Sequence, residues 1–237
     1  MRTPSPRPPA TRRPKIDQRQ PHAKAGEDYD GDCFLNFPFD AAYLPLQEAL
    51  VFAVTALGLR PRCALENANG GWPRYNKIRG LIRDSRWGIH DLSRTELTDV
   101  SLPRFNMPFE LGLFLGAASF GSVQQQEKSC LVLVRGRDLH QHYISDLAGC
   151  DPVPHQNDPD QMVRAVRHWV VTEQPAKETS LPNARELMRY FRQFQANAAR
   201  VRRKAGLARS DETFTDLAVS VYAWIKGNPL QARPGRR

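Results

Sequence analysis

What the chain lacks narrows the field before any motif is read. Its four cysteines, Cys33, Cys63, Cys130 and Cys150, form no CxxC pair. Paired spacing is what a structural zinc site needs, so the expectation is reduced, buried thiols and no metal. No apolar run approaches the ~20 residues that cross a bilayer, which sets membrane-spanning classes aside. The opening MRTPSPRPPATRRPKIDQRQ has no apolar h-region, so no secretory signal is expected. Its prolines also oppose the amphipathic helix of an organelle transit peptide. A cytoplasmic protein is the resulting expectation. Neither GxGxxG nor GxxxxGK occurs, which removes the dinucleotide fingerprint and the P-loop.

Acidic charge is scarce at the two ends and only there. Residues 1–30 hold 7 Lys/Arg against 4 Asp/Glu, and residues 181–237 hold 12 against 4. The stretch between them holds 15 against 17, so the net charge of +9 belongs to the ends. Nucleic-acid contact would have to use those basic tails, because the middle has no basic excess. Large apolar residues are nearly missing from the first 28 positions, and residues 1–30 read as a disordered, Pro/Arg-rich extension.

From residue 31 the pattern becomes regular. CFLNFPF (33–39) reads as a strand, and Leu44, Leu46, Ala49, Leu50, Ala53, Val54 and Leu57 share a helical face that Gly58 ends. RPRCALE (60–66) reads as a second strand, NANGGWP (67–73) as a loop, and RYNKIRGLIRDS (74–85) as a helix. RWGIHDLS (86–93) is a third strand, RFNMPFELGLFLGA (104–117) a third helix and KSCLVLV (128–134) a fourth strand. Such alternation predicts an α/β domain over 31–178, a parallel sheet with helices on both faces. Ligands of such sheets sit at the carboxyl ends of the strands. An amphipathic helix is expected over 159–174. Two more, over 183–204 and after a Ser210 cap, form a helical extension over 181–237. Their apolar stripes need a cover, either the sheet domain or a partner.

One carboxylate stands out. Glu110 lies in a nearly all-apolar helix that Asn106 is placed to cap, with Pro108 in its first turn. The helix dipole there favours the ionised form and opposes the upward pull of an apolar setting. Gly112 and Gly116, four apart, are expected to let this helix lie close against a neighbour. A carboxylate at the strand ends can accept a ribose hydroxyl, or stabilise or attack an electron-poor anomeric carbon. The plain alternative is a first-turn Glu serving helix stability.

The succession FLNFPFD, SRWGIHDLS, RFNMPFELGLFLGA and KSCLVLV resembles bacterial TIR-like nucleotide-binding proteins and NAD glycohydrolases. It also resembles the related nucleoside 2-deoxyribosyltransferases. The likeness covers roughly residues 32–170, and FELGLFLG is its most specific phrase. It implies a flavodoxin-like sheet with the catalytic glutamate, Glu110, on the third helix. By the same resemblance Asp91 and Ser93 would line a ribose site. Asn36, Phe37 and Asp40 would flank base or ribose, Arg94 and Arg104 would hold a phosphate, and Asn106 would start the helix beside them. Trp72 would sit in a loop that governs assembly. The implied activity is cleavage of the nicotinamide–ribose bond of NAD(P), with NAD as substrate rather than resident cofactor, and self-association is implied as its switch. A nucleoside N-glycosidase or deoxyribosyltransferase is the second enzyme reading, although no acidic partner stands at fixed spacing before Glu110. A module that binds a nucleotide or another protein without catalysis is the third.

Other constellations carry less. His140 and His142 alternate without a third ligand, and Asp146 and Asp151 flank Gly149 as a turn would. His90 and Asp91 are adjacent on a strand and so point to opposite faces. RVRRK (200–204) could contact nucleic acid, but such a segment is more often a solvated helix end favoured by the C-terminal dipole.

Overall fold

The computed structural model describes residues 28–66, 71, 73–94, 104–136, 151–175, 181–206 and 208–229. Five strands form one all-parallel sheet: β1 (Asp32–Asn36), β2 (Arg60–Arg62), β3 (Trp87–Asp91), β4 (Ser129–Val134) and β5 (Val153–Pro154). Their spatial order is β2-β1-β3-β4-β5, the flavodoxin-like order. In register, Asn36 at the end of β1 stands beside His90, one residue before the end of β3. The strand order reverses between these two strands, so the switch point of the sheet opens where Asn36 and Asp91 end.

The helices are α1 (Leu44–Ala56), α2 (Arg74–Asp84), α3 (Asn106–Phe120), α4 (Val123–Gln126), α5 (Pro159–Glu173), α6 (Ala184–Ala205) and α7 (Phe214–Gly227). α2 and α3 cover one face of the sheet through Phe34, Ile78, Ile82 and Phe114. α1 and α5 cover the other, and α6 and α7 lie over α1 as a further layer within the same core cluster. The two stripes of the C-terminal helices are therefore covered by this chain itself.

α1 explains how. Every residue from Leu46 to Val54 is buried, which suits a helix enclosed on all sides. Phe52 falls off the stripe that faces the sheet. Its ring meets Tyr190, Phe191 and Phe194 of α6 and Trp224 of α7, with centroids 5.2–6.2 Å apart. On the same outer side Glu48 is buried and takes ion pairs from Arg202 and Arg209. A polar lock thus reinforces the aromatic one.

Several local expectations are corrected. The second strand is only Arg60–Arg62, because Ala64–Glu66 form a 3-10 turn that the Glu66 carboxylate closes onto the Cys63 N–H. The α3 cap is Phe105, not Asn106, which is the first helical residue. α7 is capped by Thr213 with Asp216 rather than by Ser210, which lies in a separate 3-10 turn. β5 is two residues long, too short for periodicity to reveal. Gly58 does end α1, with φ of 81°. Gly112 and Gly116 are not close-approach positions, since a Cβ at either would meet open space. The close approach is at Gly88, where a Cβ would stand 2.7 Å from Phe114 Cζ, so α3 rests directly on β3. The thiols of Cys33 and Cys63 are buried and free, and among the described residues no helix is long and apolar enough to cross a membrane. Cys150, His140, His142, Asp146 and Trp72 lie outside the described residues.

Candidate functional site

Two groups of polar side chains meet the carboxyl edge of the sheet, one on each face. Adjacent residues of β3 feed them in opposite directions, as strand geometry requires.

On the α3 side, His90 is fully buried between the rings of Phe34 and Phe114. Burial, reinforced by Lys128, pulls it down to about 3, so it is neutral. Asn36 donates its amide to the Met107 carbonyl at 2.9 Å and lies 3.2 Å from His90 Nδ1. That pairing ties the switch point to the first turn of α3 and leaves the ring proton on Nε2, which has no partner among the described residues. Glu110 lies one turn further along α3, four residues before Phe114 and on the same buried face. Only 3% of its surface is exposed, and no hydrogen bond or ion pair reaches it among the described residues. Burial pushes its carboxyl up to about 7, opposed in part by Arg74 at the start of α2. Arg74 also lies over the Phe39 ring, 5.4 Å from its centroid. The Cys63 thiol, raised to about 12 chiefly by its own burial, also feels the Glu110 charge. Glu110 is thus within electrostatic reach of the end of β2 and the start of α2.

At Glu110 desolvation outweighs the helix dipole. Glu110 is the fifth residue of α3, past the first turn whose free N–H groups carry most of the dipole's effect.

On the α1 side, Asp91 is buried without exposed surface. It accepts hydrogen bonds from the Tyr43 hydroxyl, from the Ser93 hydroxyl and N–H, and from His155 Nε2 at 3.0 Å. Burial alone would raise it, but His155, Ser93 and Tyr43 outweigh burial and hold it below the usual carboxylate range. His155 Nδ1 accepts the Asn157 N–H at 3.1 Å, so its proton sits on Nε2, 2.8 Å from Ser93 Oγ. The direction of these bonds decides the chemistry. Ser93 gives its proton to Asp91, and His155 donates where a general base would have to accept. The trio is no serine nucleophile. It is a buried clasp joining β3, the turn before α1 and the segment after β5.

Between the two groups, Asp40 caps the Ala41–Tyr43 turn and takes ion pairs from Arg94 at 3.2 Å and Arg104 at 3.6 Å. Both guanidinium groups are partly exposed at the mouth of the switch point.

The structure therefore brings Asn36, Asp40, Asp91, Ser93, Arg94, Arg104 and Glu110 to one edge. Phe37 is fully buried, stacked on Tyr43 and Phe214, and packs beneath this edge as core. Asn106 is exposed at the start of α3. Sequence reasoning missed Tyr43, Arg74 and His155. Arg74 opens a helix directly after a loop and could have been read as a mouth residue. His155 follows a two-residue strand and carries no periodic signal. Among the described residues no cluster of His, Cys, Asp and Glu could hold a metal ion. No family model, curated protein or solved structure matches the chain.

Proposed function

We propose that the chain is an NAD(P) glycohydrolase that breaks the nicotinamide–ribose bond with Glu110. The observation that carries this reading is a single buried, unpaired carboxylate at the carboxyl edge of a parallel sheet, beside its switch point. The resemblance of FELGLFLG to TIR-like enzymes supports the same assignment.

The chemistry asks little else of the protein. In NAD the nicotinamide nitrogen is already cationic, so the C–N bond breaks with its electron pair going to a neutral leaving group. No general acid is needed. The ribosyl carbon becomes cation-like, and Glu110 stabilises or captures it before water adds and releases a proton. Arg94 and Arg104 stand where the diphosphate would exchange for Asp40. A cationic substrate entering beside a carboxyl that titrates near 7 also draws it toward its ionised form.

The test is release of nicotinamide from NAD by the purified chain and by Glu110→Gln, over pH 5–9 and a range of protein concentrations. The reading expects kcat/KM of the parent to rise with pH through about 7 and then level. It expects a loss of at least ~100-fold in the variant. Activity that falls as pH passes 7 would point to a protonated Glu110 and an uncharged leaving base. Turnover of deoxynucleosides only with an acceptor base would assign a transferase. Intact substrates under all these conditions would leave a nucleotide-binding or self-associating module.

A further inference from the structure

We propose that the exposed face of α6 binds the phosphate backbone of a nucleic acid, independently of the chemistry at Glu110. α6 carries Arg185, Arg189, Arg192, Arg200, Arg202, Arg203 and Lys204 against one acidic residue, Glu186, which is spent in the N-terminal capping box. Arg202 turns inward to Glu48 and Glu212. The other six basic residues are all exposed. At 100° per residue they fall on one face, opposite the buried Leu187, Phe191, Phe194 and Ala198. The stripe from Arg185 to Arg203 is about 27 Å long.

Helix stability does not account for it. The macrodipole favours cations only in the last turn, which covers Arg202, Arg203 and Lys204. Arg185 is the second residue of α6, where the dipole opposes a positive charge. Arg185 with Arg189, Arg189 with Arg192, and Arg200 with Arg203 are like-charge neighbours three or four residues apart, and each pair destabilises the helix. Relief is sparse, since Asp160 pairs with Arg192 while Arg185 and Arg189 have no carboxylate partner among the described residues. Arg164 of α5 joins Arg185, Arg189 and Arg192 around a cavity of about 420 Å³. Four arginines around one shallow cavity can offer bidentate phosphate contacts, and a stripe running on from it suits a repeating polyanion. An anionic membrane is the poorer match. Membrane-lying helices flank their cations with large apolar anchors, and on α6 the one large exposed apolar side chain is Val201.

The experiment is fluorescence anisotropy of the full chain with labelled random-sequence duplex DNA and with single-stranded RNA, each of about 20 units, at 50–200 mM salt. Vesicles of phosphatidylcholine and phosphatidylserine form a third arm. With about five phosphates engaged, log K should fall against log salt with a slope of about −4.5 on DNA. Replacing Arg185, Arg189 and Arg192 by Gln should reduce that slope by about 3 and weaken binding at least tenfold at 100 mM salt. Replacing Arg200, Arg203 and Lys204 by Gln tests the other half of the stripe separately. Relieved like-charge pairs offset the lost Arg192–Asp160 pair in one set and the lost dipole contribution of Arg203 and Lys204 in the other, so both sets should still melt cooperatively within a few degrees of the parent. The preferred arm, DNA or RNA, identifies the polymer. Nucleic-acid binding that neither set alters, no binding at 50 mM salt, or binding to vesicles alone overturns the proposal.

Discussion

At the scale of single residues, the two carboxylates of the sheet edge titrate in opposite directions. Asp91 is the more deeply buried, yet four donated hydrogen bonds keep it ionised. Glu110 has no such donors, and its carboxyl moves from the ordinary 4.5 to about 7. Below pH 4.5 it is protonated whether the chain is folded or not, and it costs nothing. Between 4.5 and 7 the unfolded chain ionises first, so stability drains away as pH rises. Above pH 7 the folded protein carries the full cost, on the order of 3 kcal/mol. Glu110→Gln removes that cost. Denaturant melts should therefore show the variant more stable than the parent at pH 8 and equal to it near pH 4. A variant destabilised equally at both pH values would mean that Glu110 serves packing. Glu110 was legible in the sequence because a lone acid interrupts an apolar run. Its direction of titration was not, because that depends on which donors the fold delivers. The commitment of Asp91 was hidden for the same reason, since His155 lies 62 positions beyond Ser93.

At the scale of elements, α3 is set by one glycine of the strand beneath it. Gly88→Ala would place a methyl 2.7 Å from Phe114 Cζ and 3.0 Å from His90 Nε2. Overpacking of this kind costs about 1–3 kcal/mol, and it lifts the helix that carries Glu110. Urea unfolding of Gly88→Ala, of Phe114→Leu and of the double variant should show the second change recovering part of the first. Strict additivity would mean that the contact does not position α3. Strands and helices with long apolar patterns were readable: β1, β3, β4, α1, α2, α3 and α5 all form within a few residues of their expected bounds. The failures share one cause. Ala64–Glu66, β5 and the caps of α3 and α7 depend on single hydrogen bonds or on neighbours supplied by the fold, and periodicity carries neither.

At the scale of the whole molecule, the sheet's α1 flank is completed by the last helices. The apolar positions of α6 and α7 announced that something must cover them but left open whether the sheet domain or a partner would do it, and only the fold shows Phe52 of α1 against Tyr190, Phe191, Phe194 and Trp224. Glu48 is the polar counterpart, with 3% of its side chain exposed and two arginines bound to it. Glu48→Ala leaves Arg202 partly stranded and should cost about 3 kcal/mol by denaturant melting. A change below 0.5 kcal/mol would show the aromatic contacts alone hold the layer. The covering of α1 also sets a clock. A ribosome delivers β1 to α5 before α6 and α7, and the ~50 residues that carry those two helices take on the order of 3–10 s to be made. Throughout that interval Phe52 and its neighbours form a sticky flank on an otherwise nearly finished sheet. Chains stalled near residue 180 would offer that flank to one another, so incomplete synthesis opens a window for aggregation that the finished fold closes.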